Sequence, residues 1–510
     1  MAGADKSIII IGAGPGGLTS AMLLASRGFK VTVLEKQGKV GGRNGELTAG
    51  PYHHDIGPTF LMMRHILDQV FAESGRKLED YLSLVKLDPM YRLDFGDKVL
   101  HPSSDPAAMK SEIERVFPGQ SAGLDAFLRG EGKRLNKMYP CLQKDYSSLS
   151  AFLRPEFIAA LPYLSLGKSL YGKLSEYFKD EALRLSFTFQ SKYLGMSPWD
   201  CPAAFAIIPY LEYAYGVWHV MGGLSRISEA MAKVAQEQGA SIRLGAEVER
   251  LRVEQGRAKG VLLKGGERLD ADAVIVNADF GHAMSSLVEP GLLKRWAPAK
   301  LAARPFSCST YMLYLGLDTL YRDAPHHTIL FAKDYQRNLQ DITRAKRLSQ
   351  DTSVYVRNAS VTDPSLAPEG HSALYILVPV ANNESGLDWA QEAPGFRERV
   401  LDIVEARLGM QGLRSHIREE RCITPWDWEH SLGVYKGATF NLAHSLDQML
   451  YLRPHNRFEE IGGVYLVGGG THPGSGLPTI YESGRISANL LCRDQGVAFK
   501  EPAAFSLPLA

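Results

Sequence analysis

Ser7-Ile-Ile-Ile-Ile-Gly-Ala-Gly-Pro-Gly-Gly17 is a short apolar run followed at once by a cluster of glycines. Consecutive isoleucines predict a β-strand that is buried on both faces. Gly12, Gly14 and Gly17 stand in G-x-G-x-x-G order. That order allows a tight turn, close approach of the backbone to a pyrophosphate, and close packing of a helix on the strand. The stretch therefore predicts the strand, turn and helix that begin a dinucleotide-binding α/β fold.

The residues after the turn complete this unit. Leu18 to Arg27 predicts a helix that ends at Gly28, and Val31 to Leu34 predicts a second strand. Glu35 closes that strand, 18 residues after Gly17. An acidic side chain there can accept hydrogen bonds from a ribose 2′-hydroxyl, and it would repel a 2′-phosphate. Because every part falls at the required spacing, the glycines are interpreted as a phosphate cradle and not as ordinary turns.

A second glycine-rich segment, Gly468-Gly-Gly-Thr-His-Pro-Gly-Ser-Gly-Leu-Pro-Thr-Ile480, lies near the other end of the chain. It follows Val464 to Val467, and Ala271 to Ala278 contains a similar apolar run. Both runs predict buried strands. The two glycine-rich turns predict one cofactor domain built from both ends of the chain, with a substrate domain inserted between them.

Length and composition exclude several classes of protein. A chain of 510 residues is too long for one simple core, so two joined domains are expected. The formal net charge of +1 gives no electrostatic reason for nucleic-acid binding. Five cysteines without a C-x-x-C pair argue against a disulfide framework or a zinc site and fit a reducing compartment. The His-His pairs at 53–54 and 326–327 are interpreted as turn or surface residues, and no metal is predicted.

The region from 101 to 220 has two open interpretations. It contains apolar stretches such as Phe157 to Leu164 beside basic residues such as Arg154 and Lys168. None of the stretches is long enough to span a bilayer, and no signal peptide is evident. The region is either a helical substrate domain with its own core, or a surface whose apolar side chains enter the lipid headgroup layer.

Two further segments carry a family resemblance. Val40-Gly-Gly-Arg43 and Asp55-Ile-Gly-Pro-Thr59 resemble the flavin amine oxidase superfamily. There, such a Gly-Gly-Arg turn lies along the pyrophosphate and ribityl chain of FAD, and a guanidinium pairs well with phosphate. The superfamily residue that matches Val248 contacts the adenine through its backbone. With the front turn, this gives the predicted cofactor-binding residues: Gly12, Gly14, Gly17, Glu35, Gly42, Arg43, Gly57, Val248, Gly470, Pro478 and Ile480.

The C-terminal third resembles a narrower group, the bacterial carotenoid desaturases of the phytoene desaturase type. The resemblance rests on Thr424-Pro-Trp-Asp-Trp428, Leu452-Arg-Pro-His-Asn-Arg457 and the glycine-rich segment, and it covers nearly the whole chain. Other superfamily members usually carry Gly-Asp where this chain has Gly470-Thr471, so a carboxylate contact to the ribityl chain is absent at 471. No cysteine follows this loop until Cys492, so FAD is expected to bind non-covalently.

The resemblance implies an FAD-dependent desaturase that forms conjugated double bonds in a phytoene-type C40 or diapophytoene-type C30 polyene. The alternatives are a carotenoid isomerase, saturase or end-group oxidase, a flavin amine oxidase, and a non-catalytic prenyl-lipid carrier. The expected partners are a long-chain isoprenoid substrate, a membrane surface, and a quinone or oxygen as electron acceptor. The expected location is cytoplasmic and peripheral on the membrane.

Two residues are candidates for proton transfer. His472 lies beside the predicted flavin edge, and its alternative role is that of a loop histidine hydrogen-bonded to backbone. Glu212 lies in an apolar, aromatic run, where an acid is unusual. Its alternative role is that of a helix residue facing water.

The predicted fold class is α/β, a Rossmann-like FAD-binding domain of the flavin amine oxidase type with an inserted α+β substrate domain and a helical, membrane-associating part. Tyr311 to Leu315 and Leu374 to Val380 predict strands of the substrate domain. The predicted FAD-binding domain has three segments, 1–100, 221–290 and 441–497. The helical region is 101–220, the substrate domain is 291–440, and a tail occupies 498–510.

Overall fold

The computed structural model describes residues 5–499. The tail predicted at 498–510 therefore lies, apart from its first two residues, outside the described residues, as do residues 1–4. The α-helices of the described chain are Pro15–Ser26, Arg64–Glu73, Pro106–Val116, Ala122–Leu142, Pro155–Ala160, Leu170–Leu174, Glu181–Ser186, Ile207–Tyr215, Ser225–Glu237, Phe280–His282, Pro298–Ala302, Tyr335–Thr343, Trp389–Leu408, Pro425–His430 and Leu477–Asp494.

A five-stranded parallel sheet joins distant parts of the chain. From edge to edge its strands are Val464–Leu466, Ala273–Val276, Ser7–Ile11, Lys30–Leu34 and Ser241–Arg243. The segments 1–100, 221–290 and 441–497 thus each contribute strands to one sheet. The isoleucines of the central strand are buried on both faces, which explains why this strand shows no polar alternation in sequence.

Two helices from opposite ends of the chain pack together beside this sheet. Helix Pro15–Ser26, which follows the front glycine turn, contacts helix Leu477–Asp494, which follows the second one. A Cβ atom on Gly484 would lie 2.6 Å from the carbonyl oxygen of Gly16. Because the two backbones approach this closely, both glycine-rich turns are held at the same edge of the sheet.

A seven-stranded, mainly antiparallel sheet forms the second layer. Its strands, in order, are Ile417–Ile423, Ser309–Leu317, Ser372–Val380, Val354–Asn358, His327–Leu330, Arg92–Asp94 and Val99–Leu100. The strands predicted at 311–315 and 374–380 are its second and third strands and pair with each other. Arg92–Asp94, near the end of the first predicted segment, also belongs to this sheet.

Three smaller sheets complete the strands of the described chain. One contains Val248–Glu254, Arg257–Leu263 and Arg268–Asp270. A second is the hairpin of Glu46–Ala49 and Tyr52–Asp55, and the third pairs Leu84–Leu87 antiparallel with the distant strand Val217–Val220.

A buried ion pair joins Asp55, the last residue of strand Tyr52–Asp55, to Arg357 of the seven-stranded sheet. Arg357 Nη1 lies 2.8 Å from Asp55 Oδ2, and Ser225 N donates to Asp55 Oδ1 at 2.9 Å. The second guanidinium nitrogen contacts His219 Nδ1 at 3.2 Å. The histidine pairs at 53–54 and 326–327 lie close to this ion pair. The prediction of turn or surface histidines is wrong for 54, 326 and 327, which are buried.

The helical region does have a core of its own. Phe157, at 8% exposure, packs with Tyr146 and Ala151, so it is not a lipid-facing residue. Large apolar side chains nevertheless face outward nearby: Leu149, Leu153, Ile158, Leu161 and Leu166. Within residues 5–499, no helix has the length and hydropathy needed to cross a membrane.

Candidate active site

A cavity of about 850 Å³ lies between the five-stranded and seven-stranded sheets. One part of its wall consists of the two glycine-rich turns, which supply Gly12, Gly14 and residues 468–470 and 475–476. Another part consists of apolar and aromatic side chains of the second sheet, among them Met312, Tyr355 and Leu377. A polar cradle and an apolar slot are therefore parts of one continuous space, at the upper end of the usual size of a ligand pocket.

The front turn has the shape that a phosphate requires. A Cβ atom on Gly17 would lie 2.4 Å from the Gly12 carbonyl oxygen, so only glycine allows this packing of helix on strand. A Cβ atom on Gly14 would lie 3.0 Å from Asn277 Nδ2, on the side that lines the cavity. Gly14 precedes the helix that begins at Pro15 and has no side chain to cap it. The first N–H groups of the helix therefore fit an anion such as a dinucleotide phosphate.

Glu35 is buried at the end of the second strand and lines the cavity. Its carboxylate accepts hydrogen bonds from the backbone N–H of Ala13 at 2.8 Å and of Gln37 at 2.9 Å. Ala13 lies within the glycine turn, so Glu35 also fixes the shape of the cradle. A carboxylate can accept about four hydrogen bonds, and two positions remain for a ribose hydroxyl.

Arg43 lines the cavity with its guanidinium partly engaged by the protein. One nitrogen donates to the Thr439 carbonyl at 2.8 Å, and another lies 3.5 Å from the Asp279 carboxylate. Burial raises the pKa of Asp279, and the charge of Arg43 opposes that rise. The remaining N–H groups of the guanidinium fit a phosphate, whose negative charge the Asp279 carboxylate would partly oppose.

The other predicted cofactor-binding residues lie as follows. Gly42, Gly57, Val248, Gly470, Pro478 and Ile480 line the cavity. Gly17 does not line the cavity, and a Cβ atom at this position would meet the Gly12 carbonyl oxygen. The structure thus brings ten of the eleven predicted positions to one cavity. Their contacts with a cofactor remain predictions.

Comparison with known proteins identifies the family. The family described as flavin containing amine oxidoreductase matches residues 15–492. The chain belongs to this family. Its cofactor is therefore a flavin, and the predicted fold and the enzyme class of a flavin-dependent oxidoreductase are confirmed.

Within the family, the chain belongs to the carotenoid desaturases, as predicted. A 4,4′-diapophytoene desaturase (4,4′-diapolycopene-forming) of Methylomonas sp. is 54% identical, over 98% of this chain and 97% of its own length. An all-trans-zeta-carotene desaturase of Myxococcus xanthus is 41% identical, over 97% and 94%. The solved structure of an oxidoreductase from Methanosarcina mazei has the same fold, with a TM-score of 0.63 at 19% identity over 94% and 99%.

The apolar part of this flavoprotein's cavity is rich in aromatic rings. Phe60 stacks on His327 with ring centroids 4.3 Å apart and contacts Tyr355 at 5.6 Å. The Tyr355 hydroxyl is hydrogen-bonded to Thr59 at 2.7 Å and to His327 Nδ1 at 2.8 Å. These residues come from three separate segments, and no local sequence pattern predicts that they meet.

His472 is buried outside the set of cavity-lining residues. Its Nε2 is paired with the Lys144 carbonyl at 2.9 Å, and its ring packs edge-on against Tyr146 at 5.2 Å. Burial lowers its pKa to about 4. The geometry favours the structural alternative, a loop histidine that fixes the second glycine-rich turn against the helical region.

Glu212 is fully buried, so its predicted alternative as a residue facing water is wrong. Its Oε2 accepts hydrogen bonds from the Tyr91 hydroxyl and from Gln190 Nε2, each at 2.8 Å. The Tyr193 hydroxyl also approaches the carboxyl, although without regular hydrogen-bond geometry. Burial raises the pKa of Glu212 to about 7. Tyr193 lines the cavity and Glu212 does not, so the acid lies one residue behind the cavity wall.

Lys192, beside Tyr193, is a cavity-lining residue that the sequence did not single out. It belongs to the short 3₁₀ turn Phe189–Leu194. Sequence offers no signal for it, because an isolated lysine in a chain with 57 lysines and arginines is usually a solvated surface residue.

Proposed function

We propose that this protein is an FAD-dependent desaturase that introduces conjugated double bonds into a polyene carotenoid precursor. The observation that carries the proposal is the continuity of the cavity, which runs from a dinucleotide cradle to an aromatic, apolar wall. The name of the relative at 54% identity favours a diapophytoene-type C30 substrate over a phytoene-type C40 substrate. A long hydrocarbon suits the wall, since Met62, Met312 and Leu377 offer contact without hydrogen bonds.

The roles of the chain's own residues follow from this arrangement. A bound flavin supplies the two-electron acceptor that no side chain provides. The glycine turn and Glu35 would hold its dinucleotide part, and Arg43 its phosphates. The aromatic wall around Phe60 and Tyr355 excludes water and holds the polyene in one orientation, which lowers the entropic cost of reaction. A quinone or oxygen is the expected final electron acceptor.

FAD is proposed to bind without a covalent link. Covalent attachment through sulfur requires a cysteine at the cavity, and none of the cavity-lining residues in the described chain is a cysteine. Cys492 is buried in the last helix, where Arg27 Nη1 contacts its sulfur at 3.5 Å.

Incubating the holoprotein with diapophytoene or phytoene tests the proposal. We expect coloured products, each two hydrogens lighter per step and absorbing further to the red, with diapophytoene preferred. Supplying oxygen or a quinone separately identifies the acceptor, and acid precipitation should release the flavin into solution as free FAD. A product of unchanged mass would replace the desaturase with a carotenoid isomerase, and no conversion of either polyene would reject the function.

We also propose that the protein binds a membrane surface peripherally, because its substrate dissolves in lipid. The support is a group of outward-facing side chains on the helical region, called the leucine face here: Leu149, Leu153, Ile158, Leu161 and Leu166. Leu153 is 75% exposed and Leu166 65%. Exposed apolar residues that cluster in this way are uncommon on a monomer and suit an interface with lipid.

Replacing three residues of the leucine face tests this contact. The variant Leu153→Ser, Ile158→Ser and Leu166→Ser should stay folded, because these side chains are already exposed. Each replaced side chain would no longer contribute about 1.5–3 kcal/mol of binding free energy from its burial in lipid. Co-sedimentation with liposomes should therefore fall at least tenfold. The matched control replaces Val85, Leu244 and Leu292, which are exposed outside this region, and should bind as the parent does. Equal binding by both triple variants would place the contact elsewhere.

A further inference from the structure

Lys192 is a cation that the proposed binding of a hydrocarbon does not explain. It lines the cavity, yet within residues 5–499 its ammonium has no carboxylate partner and no hydrogen-bond acceptor. The ammonium lies over the Tyr335 ring, whose centroid is 4.7 Å from Nζ. The other cavity-lining cations differ from it, because Arg43 pairs with Asp279, and Lys36 and Lys39 are exposed.

The groups that face Lys192 do not compensate its charge. The ionisable neighbours are the Cys308 thiol and the Tyr335 phenol. Burial raises the pKa of Cys308 to about 12 and the pKa of Tyr335 above its usual value, so both groups are neutral near pH 7. Burial lowers the pKa of Lys192 to about 7, with Cys308 opposing the shift. A substantial share of the amine therefore carries a free lone pair at neutral pH.

The packing around Lys192 places it on the side of the cavity near the second glycine-rich turn. The Lys192 carbonyl accepts from Gly195 N at 2.9 Å, and a Cβ atom on Gly195 would lie 2.8 Å from the Phe440 ring. The Phe440 carbonyl in turn accepts from the Ser475 hydroxyl at 2.6 Å. The turn that carries Lys192 is thus fixed, through Phe440, to the turn predicted to contact the flavin.

We propose that Lys192 accepts the proton released in desaturation, an inference that rests on the proposed function. Desaturation removes two hydrogens from adjacent carbons. One leaves with both electrons of its C–H bond to the flavin. The other leaves as a proton, and its bonding electrons form the new double bond. The lone pair of Nζ binds that proton, and the resulting ammonium lies over the electron-rich face of Tyr335.

Two substitutions at this position test the proposal in the holoprotein. Lys192→Met removes the base but keeps an apolar side chain of similar length. Lys192→Arg keeps a cation over Tyr335 that does not deprotonate. Both should slow single-turnover desaturation by about 10²–10⁴-fold. In the wild type the rate should rise with pH through about 7, the pKa of the amine, and this inflection should be lost in both variants.

The matched control is Lys173→Met. Lys173 also lies over a tyrosine ring, at 4.9 Å from Tyr177, but it pairs with Glu176 at 2.6 Å and does not line the cavity. Its substitution should leave the rate and the pH profile unchanged. Unaltered rate and inflection in the Lys192 variants of an active enzyme would overturn the proton role alone.

A second measurement does not depend on turnover. Competitive acylation of the wild type with acetic anhydride, followed by peptide mass spectrometry, reports the deprotonated fraction of each lysine. Lys192 should reach half of its full reactivity near pH 7, and saturating polyene should protect it, whereas polyene should leave the labelling of Lys173, outside the cavity, unchanged. Labelling of Lys192 without a half-point near pH 7, or labelling that polyene does not slow, would overturn the inference. A wild type that labels as expected yet desaturates neither polyene would reject the proposed function, and the proton role with it.

Discussion

Glu35→Arg is expected to lower the affinity for FAD by about one to two decades or more and to destabilise the apoprotein. The carboxylate accepts backbone N–H groups from Ala13 and Gln37, and both would lose their acceptor. A hydrogen bond to a charged group contributes about 1.5–3 kcal/mol, which corresponds to about one to two decades in affinity. The variant also places an unpaired guanidinium at a buried position beside the N-terminus of a helix, where a cation is unfavourable. Flavin content after dialysis and urea unfolding of the apoprotein measure the two effects.

Two variants separate the contribution of Glu35 from a general effect of charge. Glu35→Gln keeps an acceptor of similar shape and should show a smaller loss of flavin. Glu249→Arg makes the same charge change at an exposed position on strand Val248–Glu254 of the three-stranded sheet and should bind FAD normally. Normal flavin content in Glu35→Arg would show that the end of the second strand does not contact the cofactor.

The cofactor half of the fold could be predicted because its determinants are local. Gly17 is required by contact with Gly12, five residues away, and Glu35 closes a strand that the sequence marks with β-branched and apolar residues, Val31 to Leu34. The second turn, after Val464, is recognised in the same way. Where spacing along the chain fixes spacing in the fold, sequence alone identifies the residues of the site.

The substrate half could not be predicted because its residues meet only through long-range packing. Tyr355 and His327 lie on neighbouring strands, and Phe60 reaches them from a loop far away in sequence. Phe157 is a second residue whose environment depends on long-range packing. Its run of apolar residues fits either a lipid-facing surface or a core, and only its contacts with Tyr146 decide for the core.

Glu212→Gln is expected to remove a loss of folding stability of about 3 kcal/mol that the wild type undergoes as pH rises. Burial raises the pKa of the wild-type carboxyl from 4.5 to about 7, against the hydrogen bonds from Gln190 and Tyr91 and the nearby Tyr193 hydroxyl, which lower it. Between pH 4.5 and 7 the folded protein keeps a proton that the unfolded chain has lost. Stability therefore falls as pH rises through this window, and above pH 7 the full loss is present, at about 1.4 kcal/mol per pKa unit. The amide does not titrate, so Glu212→Gln should not show this loss.

Urea unfolding of both proteins at pH 5 and pH 8 measures the difference, because all other titrating groups are shared and cancel. The free energy of unfolding of Glu212→Gln should increase relative to that of the wild type as pH rises from 5 to 8. Glu176→Gln is the control without a pH effect in this window: partial burial raises the pKa of the Glu176 carboxyl, but two lysines lower it below its usual value, so the carboxyl is ionised in both the folded and unfolded states from pH 5 to pH 8. Parallel stability curves for Glu212→Gln and wild type would mean that Glu212 is ionised in the folded protein, with a compensating cation or water beside Oε1. In that case the acid behind Tyr193 would be available as a base at neutral pH, and it would compete with Lys192 for the proton.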